Sequence, residues 1–143
     1  IRREESYKNG VLDGMSRDYS YGVIGQLDRE TLYSNGKKVM EKRYDFSREM
    51  PPVTYYTENS EVTKSYYNNG NLKEEISRVY NPSDPLRMSI EYVKKSFFEN
   101  GVIENECTYN GNEHKNVCLE YDQNGNFVKK ELFENGVLIR EVK

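Results

Sequence analysis

The sequence predicts an all-β chain, an elongated antiparallel meander of repeated β-hairpins forming a single-layer twisted sheet. Three observations carry that expectation. First, Asn-Gly recurs behind an aromatic ring, as Tyr7-Lys8-Asn9-Gly10, Tyr33-Ser34-Asn35-Gly36, Tyr67-Asn68-Asn69-Gly70, Phe98-Glu99-Asn100-Gly101 and Phe133-Glu134-Asn135-Gly136. Asn-Gly is a strong hairpin signal because a two-residue I′ turn needs positive φ at both positions. Second, turn signals repeat from end to end at spacings of about 10 to 17 residues, too short for helices and their connections. Third, the chain is 35% hydrophobic and 31% charged, with a mean hydropathy of −0.97. No Trp is present, and thirteen Tyr and five Phe carry much of the apolar content. Such a composition suits a thin sheet paved with rings and the stems of long charged side chains.

The elements follow from the turns. Besides the five Asn-Gly units, turns are expected at Tyr21-Gly22, Asp45 to Ser47, Asn59-Ser60, Asn81 to Pro85, Asn110-Gly111 and Asn124-Gly125. Between them lie short stretches rich in Tyr, Val, Thr and Ile, which favour strands. With Asn100 and Gly101 as the two loop residues, Phe98 pairs with Ile103. The same count pairs Tyr67 with Leu72, Phe133 with Leu138, Tyr7 with Leu12, and Lys130 with Glu141. A ring thus meets an aliphatic side chain across each hairpin, and the rings gather on one face. At Asn59-Ser60 serine replaces glycine, so that turn must differ or bear strain. Met50-Pro51-Pro52 and the Pro-containing insertion near 81–86 read as loops or edges, since proline cannot donate to a ladder. The whole of 1–143 reads as one repeat domain in which each hairpin touches chiefly its neighbours.

Composition also excludes function classes. Net charge is −3 with the two signs mixed. Nucleic acid would need a basic stripe to neutralise phosphates, and none is evident. The same balance disfavours membrane lipid as a partner. No run of about 18 apolar residues offers a transmembrane helix. The chain opens Ile1-Arg2-Arg3 without Met or leader and reads as a mature or trimmed fragment, so localisation stays open. Cys107 and Cys118 flank Asn110-Gly111-Asn112, and a loop centred near 112 and 113 sets them opposite each other. That leaves a cross-strand disulfide open, but the favoured reading is a reduced pair of half-buried small residues.

The run Tyr7-Lys8-Asn9-Gly10-Val11-Leu12-Asp13-Gly14, closed by Tyr19, resembles the bacterial variant of the MORN repeat (membrane occupation and recognition nexus). Tyr109 to Tyr121 followed by Asn124-Gly125 is similar to a diverged copy, and the units at Tyr66, Phe97 and Phe133 match its other half. The second glycine of the unit, present as Gly14, is missing from most copies. The resemblance implies a meandering antiparallel sheet and a non-catalytic interaction role. It implies an antitoxin component of a bacterial toxin–antitoxin system as the leading case. A phospholipid or membrane-surface module, like MORN segments beside phosphatidylinositol phosphate kinase domains, is the alternative. A secreted or surface structural repeat is the third reading.

Enzymatic signatures are absent from the sequence. There is no glycine-rich phosphate loop, and Asp45-Phe46-Ser47 lacks the surroundings of a kinase metal site. His114 sits in a polar turn, and with Cys107 and Cys118 it makes only three zinc ligands in unusual spacing. Glu41, Glu75, Glu106 and Glu141 read as a solvated stripe answering cations on neighbouring strands, not as acid–base pairs. No catalytic residue, metal ligand or cofactor is therefore expected. The remaining candidates are the rings Tyr7, Tyr33, Tyr67, Phe98, Tyr121 and Phe133, as the face that meets a protein partner. Tyrosine suits such a face, offering apolar area and a hydroxyl at low entropic cost.

Overall fold

Alternating short strands and tight turns give an open meander in the computed structural model, which describes residues 2–20, 25–44, 50–81, 83, 89–111 and 113–143. None of the described residues is helical. The strands are β1 (Arg2–Glu4), β2 (Tyr7–Lys8), β3 (Val11–Leu12), β4 (Gly14–Tyr19), β5 (Leu27–Ser34), β6 (Lys37–Arg43) and β7 (Val53–Tyr56). The rest are β8 (Ser60–Tyr66), β9 (Leu72–Tyr80), β10 (Ser89–Phe97), β11 (Ile103–Asn110), β12 (Lys115–Tyr121), β13 (Phe127–Glu134) and β14 (Val137–Val142). Twelve of them form one antiparallel sheet in chain order, with β1 and β14 at opposite edges. The β2–β3 hairpin stands apart as a two-stranded unit between β1 and β4. The expected turns at Tyr21-Gly22 and Asp45 to Ser47, and most of the insertion near 81–86, lie outside the described residues.

The Asn-Gly units do not all make the same turn. In the hairpins β2–β3, β5–β6 and β13–β14 both residues have positive φ, as at Asn135 (φ 52) and Gly136 (φ 79), the I′ geometry the sequence predicts. In β8–β9, β10–β11 and β12–β13 only the glycine does, as at Gly101 (φ 87). There the Gly101 N–H donates to Phe98 O (2.8 Å) and the Phe98 N–H to Val102 O (2.8 Å). This closes a three-residue loop, a type I turn followed by a left-handed glycine.

The extra loop residue shifts the register. Phe97, not Phe98, faces Ile103, and Tyr66, not Tyr67, faces Leu72. Tyr7–Leu12 and Phe133–Leu138 pair as counted. A bulge between Leu132 and Phe133 then sets Lys130 opposite Val142 and Glu131 opposite Glu141, so Lys130 does not answer Glu141. At the serine-containing turn the loop residues are Glu58 and Asn59, neither with positive φ. Thr57 and Ser60 close it, with the Ser60 N–H donating to Thr57 Oγ1 (3.1 Å). That turn differs, as expected from the missing glycine.

A single layer buries little, and what it buries is unexpected. Val53, 7% exposed, is the buried apolar side chain among the described residues. The other buried positions are Ser16, Thr31, Asp18 (4% exposed) and Glu41 (3% exposed). Cationic side chains close on these two carboxylates. Arg3 Nε donates to Asp18 Oδ1 (2.6 Å) and Arg29 Nη2 to Asp18 Oδ2 (2.6 Å). Lys38 Nζ and Arg43 Nε reach the two Glu41 oxygens at 2.6 and 2.7 Å.

Burial by itself would raise the Asp18 carboxyl, but hydrogen bonds from Arg3 and Arg29 outweigh it and hold it below the usual carboxylate range. The same contest, with Lys38 and Arg43 as donors, holds Glu41 low. The most buried side chains of the described sheet therefore include two carboxylates, each held by two cations.

Two unlike faces result. On one, cross-strand partners carry an aliphatic row from Met15–Leu32–Met40 through Tyr55–Val62 to Val117–Leu132. Beside it runs a row of alternating charge, including Lys64 with Glu75 (3.1 Å) and Lys95 with Glu106 (3.4 Å). The other face holds Asp18, Glu41 and the cysteines. Glu41 and Glu141 lie on this second face while Glu75 and Glu106 lie on the first, so the four glutamates form no single stripe. The two turn types explain the split, because one extra loop residue reverses which face the fifth residue after the glycine meets. Glu41 is also buried, not solvated.

Candidate interaction face

The second face has a polar floor between two bands of rings. Its central row runs through Ser16, Thr31, Glu41, Thr54 and Thr63 toward Cys107 and Cys118. Thr54 and Thr63 share a hydroxyl hydrogen bond of 2.9 Å across β7 and β8.

One band follows the rim where β8–β9, β10–β11 and β12–β13 turn. Phe98 and Tyr121 border a shallow hollow of about 330 Å³ there, with Lys94, Asn105 and Cys107. Tyr67 closes the neighbouring hairpin, its hydroxyl donating to Phe97 O (2.6 Å). Further turn-to-turn bonds stitch this rim: Asn71 Nδ2 to Glu99 O (2.8 Å) and Asn100 Nδ2 to Gln123 O (3.1 Å).

The second band lies toward the opposite rim. Tyr92 faces Tyr109, Tyr109 faces Asn116, and Asn116 faces Phe133. Arg78 continues the row, its guanidinium 5.3 Å from the Tyr92 ring and its Nη1 donating to Glu61 (2.9 Å). Tyr56, under the Lys38 ammonium at 5.3 Å, extends it across β7.

The six candidate rings are thus divided. Phe98 and Tyr121 share one band with Tyr67 at their rim, while Phe133 and Tyr33 lie toward the other. Tyr7 is 58% exposed on the separate β2–β3 hairpin, where its hydroxyl donates to Glu5 (2.6 Å). The ring-x-Asn-Gly pattern does not mark Tyr56, Tyr92 or Tyr109: Tyr56 ends β7 at a turn without glycine, Tyr92 lies mid-strand, and Tyr109 precedes Gly111 by two residues instead of three. Counting outward from opposed Cys107 and Cys118 would have placed Tyr109 opposite Asn116.

The cysteines are joined: Cys107 and Cys118 form a cross-strand disulfide with Cα atoms 4.1 Å apart. This corrects the reduced reading. Register is the reason, since the β11–β12 ladder sets the two residues directly opposite on one face. With both sulfurs engaged, the three-ligand zinc grouping with His114 is dissolved. His114 occupies a left-handed turn position (φ 52) with Nδ1 3.4 Å from the Tyr109 hydroxyl.

An open sheet of stacked hairpins, ringed and uncovered on one face, defines a repeat scaffold. Residues 62–80 and 93–110 match the family described as MORN repeat variant. The first match takes in most of β8 with its three-residue loop and β9, and the second takes in the latter half of β10 with its loop and β11. These two segments are MORN repeats of the variant class, as the resemblance implied. No curated protein matches the sequence significantly.

Proposed function

We propose that this chain is a non-catalytic scaffold that holds a protein partner on its ring-bordered face. The observation that carries the reading is that face: a polar floor flanked by Phe98 and Tyr121 on one side and Tyr92, Tyr109 and Phe133 on the other. No described element packs over it. Rings with polar tips around a hydrogen-bonding floor supply the anchors and the rim of a protein interface.

The finer reading is an antitoxin component, whose partner is a toxin it neutralises. Support for it is the resemblance to bacterial MORN-variant proteins of that label. The test is partner capture from the native host by the intact chain, repeated with Tyr92→Ala/Tyr109→Ala and with Phe98→Ala/Tyr121→Ala. Loss of capture in either folded variant is expected; capture retained by both sinks the ring-face reading. Coexpression of the captured protein with and without the chain then decides the antitoxin role by growth.

A further inference from the structure

The three hairpins with three-residue loops each leave one extra residue in their ladder, just past the loop. Tyr66 faces Leu72 and Ser65 faces Glu74, so Lys73 is the bulged residue of β8–β9. Phe97 faces Ile103 and Ser96 faces Asn105, so Glu104 holds that place in β10–β11. In β12–β13 the place falls to Val128. A bulge re-aims the side chain it carries. Lys73 and Glu104 stand at the same distance in sequence from their rim rings, Tyr67 and Phe98.

Opposite charges fill these two equivalent places. Lys73 lays its ammonium over the Tyr67 ring, 5.5 Å from the centroid, where the negative face of the ring attracts a cation. Among the described residues no cation lies over Phe98, and Glu104 lines the hollow beside that ring instead. Glu104 has no hydrogen bond or ion pair among the described residues. The other charges at the hollow are answered. Lys94 is held by Glu74 (2.6 Å), and Lys129 lies between Glu120 (3.3 Å) and Glu131 (3.1 Å). With Glu104, four carboxylates stand against two ammoniums there. The far wall is braced, since Tyr121 packs edge-on against Phe127 with ring centroids 6.3 Å apart.

We propose that this hollow anchors an arginine side chain of the protein partner. The guanidinium lies on Phe98, as the Lys73 ammonium lies on Tyr67, and donates to the Glu104 carboxylate. Its methylene stem covers Tyr121. Arginine suits the place better than lysine, because its flat, weakly hydrated cation can stack on a ring while two donors meet a carboxylate. The inference rests on the scaffold reading above and names what the ring-bordered face selects: a partner that presents a basic side chain to this rim. An anchor of this kind fixes specificity and register more than total affinity.

The test uses three peptides, acetyl-Gly-Ser-X-Ser-Gly-amide, with X arginine, lysine or citrulline, the uncharged isostere of arginine. Amide chemical shifts of the intact chain are followed as each is added at constant ionic strength. The expected result is saturable perturbation around Phe98, Glu104, Asn105 and Tyr121, in the millimolar range for arginine. Lysine is expected to bind about threefold more weakly and citrulline about tenfold. Glu104→Gln, which removes a charge but no existing bond, weakens arginine about fivefold. Phe98→Leu, which keeps apolar area without the ring, weakens it about threefold. Glu99→Gln takes a charge from the same rim outside the hollow and leaves binding unchanged. Circular dichroism checks that each variant folds. The proposal is overturned if no perturbation saturates or if it falls elsewhere. It is also overturned if citrulline or lysine binds as well as arginine, or if Glu99→Gln costs as much as Glu104→Gln. The peptides need no natural partner, so their failure leaves the scaffold reading to its own capture experiment.

Discussion

Asp18 shows how a chain poor in aliphatic residues fills one of its most buried positions. Two arginines converge on one carboxylate that the sheet and their own stems keep from water. The arrangement is not readable from residue type, since an acid alternating with arginines looks like any solvated strand. Replacing Asp18 by Asn keeps the shape but leaves Arg3 and Arg29 without their counter-charge. Because both guanidiniums reach solvent, the expected cost is about 1–2 kcal/mol in urea unfolding, not the larger loss of a fully buried pair. Folding favours the ionised forms of Asp18 and Glu41. Their contribution is complete above the unfolded carboxylate value of about 4 and is lost as pH falls through the lower folded values. A urea midpoint series from neutral to acid pH should decline across that range in the wild type. The decline should be shallower in Asp18→Asn with Glu41→Gln.

Among the elements, two hairpins carry the same five residues, Phe98 to Val102 and Phe133 to Val137, and turn differently. Local sequence therefore made the existence of each hairpin legible, but not its loop length. The difference lies in long-range bonds: Asn100 Nδ2 reaches Gln123 O, whereas the Asn135 N–H is taken by His114 O (2.9 Å). A mutation separates the two cases. Asn135→Gly, at positive φ, should be neutral within about 0.5 kcal/mol. Asn100→Gly forfeits its bonds to Gln123 O and to the Val102 N–H (3.0 Å), and should cost about 1–2 kcal/mol. The uncounted loop residue is also why the glutamate row divided between the faces, whereas the ring row divided because alternate hairpins turn at opposite rims. The disulfide belongs to this scale. It closes a loop of sequence separation 11, so its reduction should lower stability by about 2–4 kcal/mol, read as a shift in denaturant midpoint with and without dithiothreitol.

At the scale of the whole molecule the meander was the most legible feature, because turn spacing and composition both exclude helices and a thick core. Which face would carry rings was legible only in part: the Asn-Gly units pointed to Phe98 and Phe133, while Tyr92 lies mid-strand where no local signal marks it and Tyr109 stands one residue out of phase before Asn110-Gly111. Each strand packs chiefly on its two neighbours, so cooperativity should be limited and nearest-neighbour in kind. Much of the lateral contact is ionic, which makes the sheet sensitive to salt. Raising sodium chloride to about 1 M, where the screening length is near 3 Å, should lower amide protection in β4–β6 more than in β11–β12. Equal loss in both regions would show that the Asp18 and Glu41 clusters do not hold their strands.

The disulfide has a mechanical meaning as well. Tension applied between β1 and β14 acts across the strands, so hydrogen bonds are loaded one after another and the meander pays out at low force. At Cys107 that yielding stops. The segment to Cys118 stays folded back on itself and withholds roughly 35–40 Å of contour length. Under load the chain is a soft tape with a fixed knot near one end, and the hairpins on either side of the knot give way independently.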